Sequence, residues 1–308
     1  MRYKLIYVIF LSVLLIGCAA STPEITPTSE PIQDDASSFK YLEFEGSKRR
    51  YLIFTPKSYT GTENLPVVIY LHSYGWGPKQ GRDYTMLNKV ANTYNFIVVY
   101  PGGIKNWNSG IAENSDYPTP DVNDVGFIDA LIDNLDSNYS IDLNRIYATG
   151  YSNGGFMAYK LACQLSHRIA AIASVGGVMS TNTLADCNPL RPMPVLEIHG
   201  TEDSWVPTSG LRGWESVDQT INYWTNFNNC VQTDTISLPD SNLTDNCSVE
   251  KIIYSNCTNN SNVIYLKVLD GGHSWPSAGP AGYPVGNTNQ DINAGMEIWN
   301  FFKDYHLP

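Results

Sequence analysis

Six apolar runs of strand length, separated by stretches with helical spacing, limit this chain to few folds. They are "LPVVIYLH" (65–72), "NFIVVYPGG" (95–103), "RIYATG" (145–150), "IAAIASVGG" (169–177), "PVLEIHG" (194–200) and "NVIYLKVLDGG" (262–272). Several are apolar at consecutive positions, as expected of strands covered on both faces. Between the second and third lies "DVGFIDALIDNLDSNYS", whose Val125, Phe127, Ile128, Leu131, Ile132 and Leu135 fall on one helical face. Residues 154–165, 214–227 and 292–305 carry further helical patterns. Strand and helix in alternation predict one α/β domain, a mostly parallel central sheet flanked by helices, with reactive groups in loops past the carboxyl ends of strands.

The opening "MRYKLIYVIFLSVLLIGC" places Arg2 and Lys4 before an apolar run from Leu5 to Ile16, too short to span a bilayer comfortably and shaped like an export signal. It ends in "LIGC", which resembles the lipobox of bacterial lipoproteins and implies removal of residues 1–17 and lipidation of Cys18. Residues 18–38 then read as a solvated tether rich in Pro, Ser, Thr and acid, and 39–308 as the catalytic domain. The expected location is extracytoplasmic, anchored by lipid to a bacterial membrane, with the body a monomer. A net charge of -11 without Lys or Arg clusters argues against nucleic acid as a partner. Beyond Cys18 stand Cys163, Cys187, Cys230, Cys247 and Cys257. Export permits disulfides, an odd count leaves at least one thiol unpaired, and the lack of any CxxC argues against a zinc site.

In "RIYATGYSNGGFMAYKLAC" (145–163), Gly150, Ser152 and Gly154 form GxSxG between a strand pattern and a helix pattern, the context a nucleophile elbow requires. A serine hydroxyl needs a base to take its proton, normally an imidazole oriented by a carboxylate. In the hydrolase order of serine, acid, histidine, only His273 and His306 follow the acid. His273 sits in "DGGHSWP" after a strand, where glycines let a loop project it, whereas His306 lies near the C-terminus. His72 and His199 at strand ends read as structural, and His167 as solvated. The acid should leave a strand end, and "VLEIHGTEDSWVP" offers Glu202 and Asp203, which physics alone does not separate; Glu197 lies within the strand.

The motifs "GYSNGG", "HGTEDSWVP" and "GGHSWP", in that order, resemble the polyhydroxybutyrate depolymerase and feruloyl esterase group of α/β-hydrolases, over most of residues 40–305. The resemblance implies a triad of Ser152, Asp203 and His273. It also implies an oxyanion hole from the Asn153 N–H and an N–H of Ser73 or Tyr74. The group's usual glycine after the loop histidine is here Ser73 in "HSYGWG". A positive φ at that position would strain serine by about 1 kcal/mol or more. For the cysteines the resemblance implies Cys163 with Cys187 and Cys230 with Cys257, leaving Cys247; the sequence leaves Cys230 with Cys247 open.

These readings predict acyl transfer without metal or organic cofactor. The substrate is an ester, small or linked to polysaccharide: feruloyl or other phenolic, acetyl, or of polyhydroxyalkanoate type. Aromatic residues in strand-end loops, Trp107, Tyr151, Trp205 and Trp275 among them, predict an aromatic cleft wall. Two other classes share the scaffold: a serine peptidase, and a non-catalytic surface binding protein.

Overall fold

The computed structural model describes residues 33–111, 120–279, 282 and 284–308. The export segment, Cys18 and most of the tether lie outside the described residues. In chain order the strands are β1 (Lys40–Phe44), β2 (Ser47–Phe54), β3 (Leu65–Leu71), β4 (Ile97–Pro101), β5 (Ile141–Tyr151), β6 (Ala171–Val175), β7 (Val195–Gly200), β8 (Gln232–Ser237), β9 (Ser248–Ser255) and β10 (Val263–Leu269). The helices are α1 (Pro78–Thr85), α2 (Leu87–Tyr94), α3 (Asp124–Asn138), α4 (Asn153–Gln164), α5 (Thr181–Ala185), α6 (Val217–Phe227) and α7 (Ala294–Phe302).

All ten strands form one sheet in the order β1-β2-β4-β3-β5-β6-β7-β10-β9-β8. The six from β4 to β10 run parallel, and the pairs at either rim are antiparallel. Those six are the six apolar runs of the sequence, and β3 shows why. Its Val67, Ile69 and Leu71 pack with Phe127 and Leu131 of α3 and with Met157 and Leu161 of α4. Its Val68 and Tyr70 pack on the opposite face with Tyr84 of α1, Val90 of α2 and Phe302 of α7. Both faces are buried, so no polar alternation remains to be read. Each such side chain contributes about 1.5–3 kcal/mol relative to exposure.

The rim strands left no comparable signal. Every residue of β8 is exposed, and β1 alternates half-buried with exposed. Helices α1 and α2 were likewise unanticipated. α6 begins at Val217 rather than near Trp214, because Ser216 accepts from the Gln219 N–H while Gln219 accepts from the Ser216 N–H, closing a capping box. Among the described residues, no helix is long and apolar enough to cross a membrane.

Disulfides join Cys163 to Cys187 and Cys230 to Cys257, and Cys247 is a buried free thiol. The first closes a separation of 24 residues. Replacing Cys163 and Cys187 together by Ala should therefore cost about 3 kcal/mol in urea unfolding through the freed chain entropy of the unfolded state. A loss well under about 1 kcal/mol would mean that packing alone holds this segment.

Candidate active site

Strand β5 runs straight into α4 through Ser152, which adopts φ 55 and ψ -119, a conformation that L residues rarely tolerate. The flanking glycines permit it. A Cβ at Gly150 would lie 2.3 Å from the Gly154 carbonyl, and one at Gly154 would lie 1.9 Å from the Leu71 oxygen at the end of β3. The turn is fastened by its own backbone: the Ser152 N–H donates to the Val175 carbonyl (2.9 Å), and its carbonyl accepts from Gly155 (2.7 Å) and Phe156 (3.1 Å).

Asp203 and His273 arrive from the loops after β7 and β10, neighbouring parallel strands. Oδ1 of Asp203 accepts from the N–H groups of Trp205 (2.9 Å) and Val206 (2.8 Å), and Oδ2 bonds Nδ1 of His273 at 2.6 Å. Glu202 beside it is exposed. Burial would raise the Asp203 carboxyl, but the His273 bond, the charges of His273 and His199, and the Val206 N–H together hold it below its ordinary value. With Nδ1 committed to Asp203, Nε2 of His273 is buried and has no hydrogen-bond partner within the protein. His273 and Ser152 line the same cleft. Tyr151, the residue before the serine, stacks on the His273 ring at 4.9 Å and donates its hydroxyl to the His273 carbonyl at 2.8 Å. Burial first, then Tyr84 and Asp203, pushes that phenol well above its usual range, so it remains a donor. His306 is exposed on a tail fastened by Leu307 to Asn144 near the start of β5.

The cleft has a volume of about 260 Å³, opens to solvent and is mostly apolar: Trp76, Tyr151, Phe156, Trp205, Val206 and Trp214 contribute to its wall. Trp205 is half exposed with its ring 5.5 Å from that of His273. Two of the expected wall residues stand elsewhere. Trp107 is fully buried, donating its indole N–H to the His72 carbonyl at 3.1 Å and its backbone N–H to Oδ1 of Asn153 at 2.9 Å. Trp275 is buried edge-on against Tyr70 at 5.8 Å, with its backbone N–H on the Tyr84 hydroxyl at 3.1 Å. A loop position does not reveal which way an indole turns. Phe156 and Trp214 were missed as wall residues because each sits in a stretch read only for helical spacing.

Ser73, Tyr74 and Asn153 border the cleft next to Ser152. As the first residue of α4, Asn153 has an N–H with no acceptor within the helix. The strain feared at Ser73 does not arise: its φ is not positive, and Gly75 takes the left-handed conformation of this loop (φ 71). Gly75 donates to Oδ1 of Asn106 at 2.7 Å. His72 fixes the loop from below. Its Nε2 accepts from the Gly103 N–H (3.0 Å), which leaves the proton on Nδ1, bonded to the Ser73 carbonyl (2.9 Å). Burial lowers the His72 pKa to about 4, and the ring is neutral. Among the described residues, no group of three or more His, Cys, Asp or Glu side chains is placed to hold a metal ion.

Sheet order, elbow and strand-end loops together define an α/β-hydrolase, and comparison with known proteins agrees. A family model described as phospholipase/carboxylesterase matches residues 122–241, from just before α3 to just beyond β8. The chain is 27% identical over 276 residues to feruloyl esterase B of Piromyces equi, covering 84% of this chain and 46% of that protein. It is 26% identical over 266 residues to a bifunctional acetylxylan esterase/xylanase of Neocallimastix patriciarum, covering 86% of this chain and 34% of the relative. This chain thus spans a third to a half of the length of these curated relatives. The solved acetyl xylan esterase from Aspergillus awamori superposes with a TM-score of 0.59 at 14% identity, over 86% of this chain and 99% of that one, which shows a shared fold. The chain thus has the α/β-hydrolase fold and is similar over most of its length to proteins named feruloyl esterase and acetylxylan esterase.

Ser152→Gly should raise stability by about 1 kcal/mol in urea unfolding, because relief of the positive-φ strain outweighs the extra freedom of glycine in the unfolded chain; a destabilised variant would mean the turn is unstrained. For His72, the unfolded chain takes up a proton near 6.5 while the folded ring resists until about 4. Folding stability should therefore fall as pH drops through that window, by on the order of 3 kcal/mol. Urea unfolding near pH 7 and near pH 4.5 should show a smaller loss for His72→Gln than for wild type, and equal losses would remove His72 as the cause.

Proposed function

We propose that the chain is a serine esterase that cleaves carboxylic esters through an acyl-enzyme, with Ser152 as nucleophile, His273 as base and Asp203 as its orienting carboxylate. The observation that carries this reading is His273, which lines the same cleft as Ser152 with Nδ1 locked to Asp203 and a buried Nε2 that has no partner. In the first step Nε2 takes the Ser152 proton and Oγ attacks the ester carbonyl. The oxyanion is held by the Asn153 N–H and an N–H of the Ser73–Tyr74 segment. His273 then returns the proton to the leaving alcohol. Water, activated by the same imidazole, releases the acid.

The aromatic wall suits a flat or small acyl group presented from an alcohol in solvent, with Trp205 at the mouth and Phe156 and Trp214 deeper in the wall. This favours phenolic or acetyl esters of plant polysaccharide, in keeping with relatives named feruloyl esterase and acetylxylan esterase. Two disulfides support an extracytoplasmic location, and the "LIGC" sequence supports a lipid anchor on Cys18.

Methyl ferulate, acetylated xylan and short hydroxybutyrate oligomers form the discriminating panel, with peptide anilides as the control for peptidase activity. The first two should be turned over. Ser152→Ala should lower kcat by about 10³-fold or more and abolish labelling by a fluorophosphonate. Full activity in that variant would sink the assignment, and well-folded wild type that neither labels nor hydrolyses would point to a binding role.

A further inference from the structure

A second histidine stands directly behind the Asp203–His273 pair, in a setting that structural packing alone does not call for. His199, near the end of β7, is fully buried. Its Nε2 lies 2.7 Å from the Val206 carbonyl and 3.5 Å from Oδ2 of Asp203; its Nδ1 lies 2.8 Å from Oε1 of Glu197. Glu197 is buried as well, and its Oε2 accepts from the Tyr159 hydroxyl at 2.7 Å. Oδ2 of Asp203 therefore sits between two imidazoles. A carbonyl can only accept, so Nε2 of His199 must carry a proton. The remaining proton lies between Nδ1 and Oε1: burial raises the Glu197 carboxyl and so favours the acid, while the Asp203 carboxylate nearby favours the ring.

We infer that His199 is held as a buried imidazolium between Glu197 and Val206, and that it is a positioning residue whose charge beside Oδ2 of Asp203 governs how readily His273 takes up a proton. Its function in turnover rests on the esterase reading; its charge does not. The Val206 backbone is held on both sides by this arrangement, its carbonyl by His199 and its N–H by Asp203, and Val206 itself lines the cleft. Burial opposes the charge on His199, but the Glu197 hydrogen bond and charge, then Asp203 and the Val206 carbonyl, raise its pKa above the usual value. The other groups facing the pair are accounted for. Tyr159 from α4 and Tyr265 from β10 are kept neutral by burial and by the Glu197 charge. Lys267, the register partner of His199 on β10, is 37% exposed and reaches toward Glu250 at 3.8 Å. Asp218 of α6 acts on Tyr265.

The test is NMR of the full chain labelled with ¹⁵N-histidine, the rings assigned through their backbones. In the wild type, both ring nitrogens of His199 should be protonated across the neutral range. In Glu197→Gln, which keeps the shape and hydrogen bonding of the site, His199 loses its counter-charge and sheds a proton. With that positive charge gone from beside Asp203, the His273 titration midpoint should move upward by about half a pH unit or more. His199→Gln should move it the same way, and the acid limb of kcat/KM should follow in both variants. A bare nitrogen on wild-type His199, or a His273 midpoint unchanged in Glu197→Gln, would overturn the inference. A neutral pair with the proton on Glu197 predicts that unchanged midpoint, because glutamine mimics the protonated acid. Wild type that hydrolyses no ester would instead remove the esterase reading and leave the ring measurements standing.

Discussion

The contact on which the site depends is steric: the first turn of α4 is pressed against the end of β3 so closely that position 154 has no room for a Cβ beside the Leu71 oxygen. That approach leaves the chain no ordinary route from β5 into the helix, and Ser152 takes the left-handed turn that results. It also sets Ser152 beside the segment that follows Leu71, so the proposed nucleophile and the proposed oxyanion donors occupy one corner of the sheet. The cost of a strained serine is sustained because the surrounding backbone bonds over-determine the turn.

The imidazole is located with equal economy. Because β7 and β10 are neighbours, the loops that follow them meet, and Asp203 needs only its own local turn to present one oxygen to His273 while the other caps Trp205 and Val206. Tyr151 then ties the far side of the histidine loop to the end of β5. Three chain segments are fastened to one another independently of any substrate, which is what preorganisation means in hydrogen-bond terms.

The parts of this that were legible in the sequence are those written by burial or by close packing. Parallel strands buried on both faces appear as continuous apolar runs, and the elbow's glycines appear as a fixed spacing. The rim strands did not appear, since β8 faces solvent at every residue and carries no hydrophobic pattern. Glu202 and Asp203 are chemically alike, and it was resemblance, not residue chemistry, that separated them; the fold separates them by burying one and exposing the other. Trp107 was misplaced because its partner, the His72 carbonyl, is distant in sequence. Glu197 and His199 did leave a trace in "VLEIHG", two polar residues on one face of a buried strand, which is unusual enough to have asked for partners.

The polar rims of the sheet have a bearing beyond the site. An open sheet offers unpaired amides and carbonyls along its outermost strands, a template onto which another chain can add. Here one margin, β8, is "QTDTIS", and the other, β1, is "KYLEF" with Lys40 and Glu43. Short strands carrying charge and hydroxyl groups make poor templates, so copies crowded together have little tendency to zip into aggregates edge to edge.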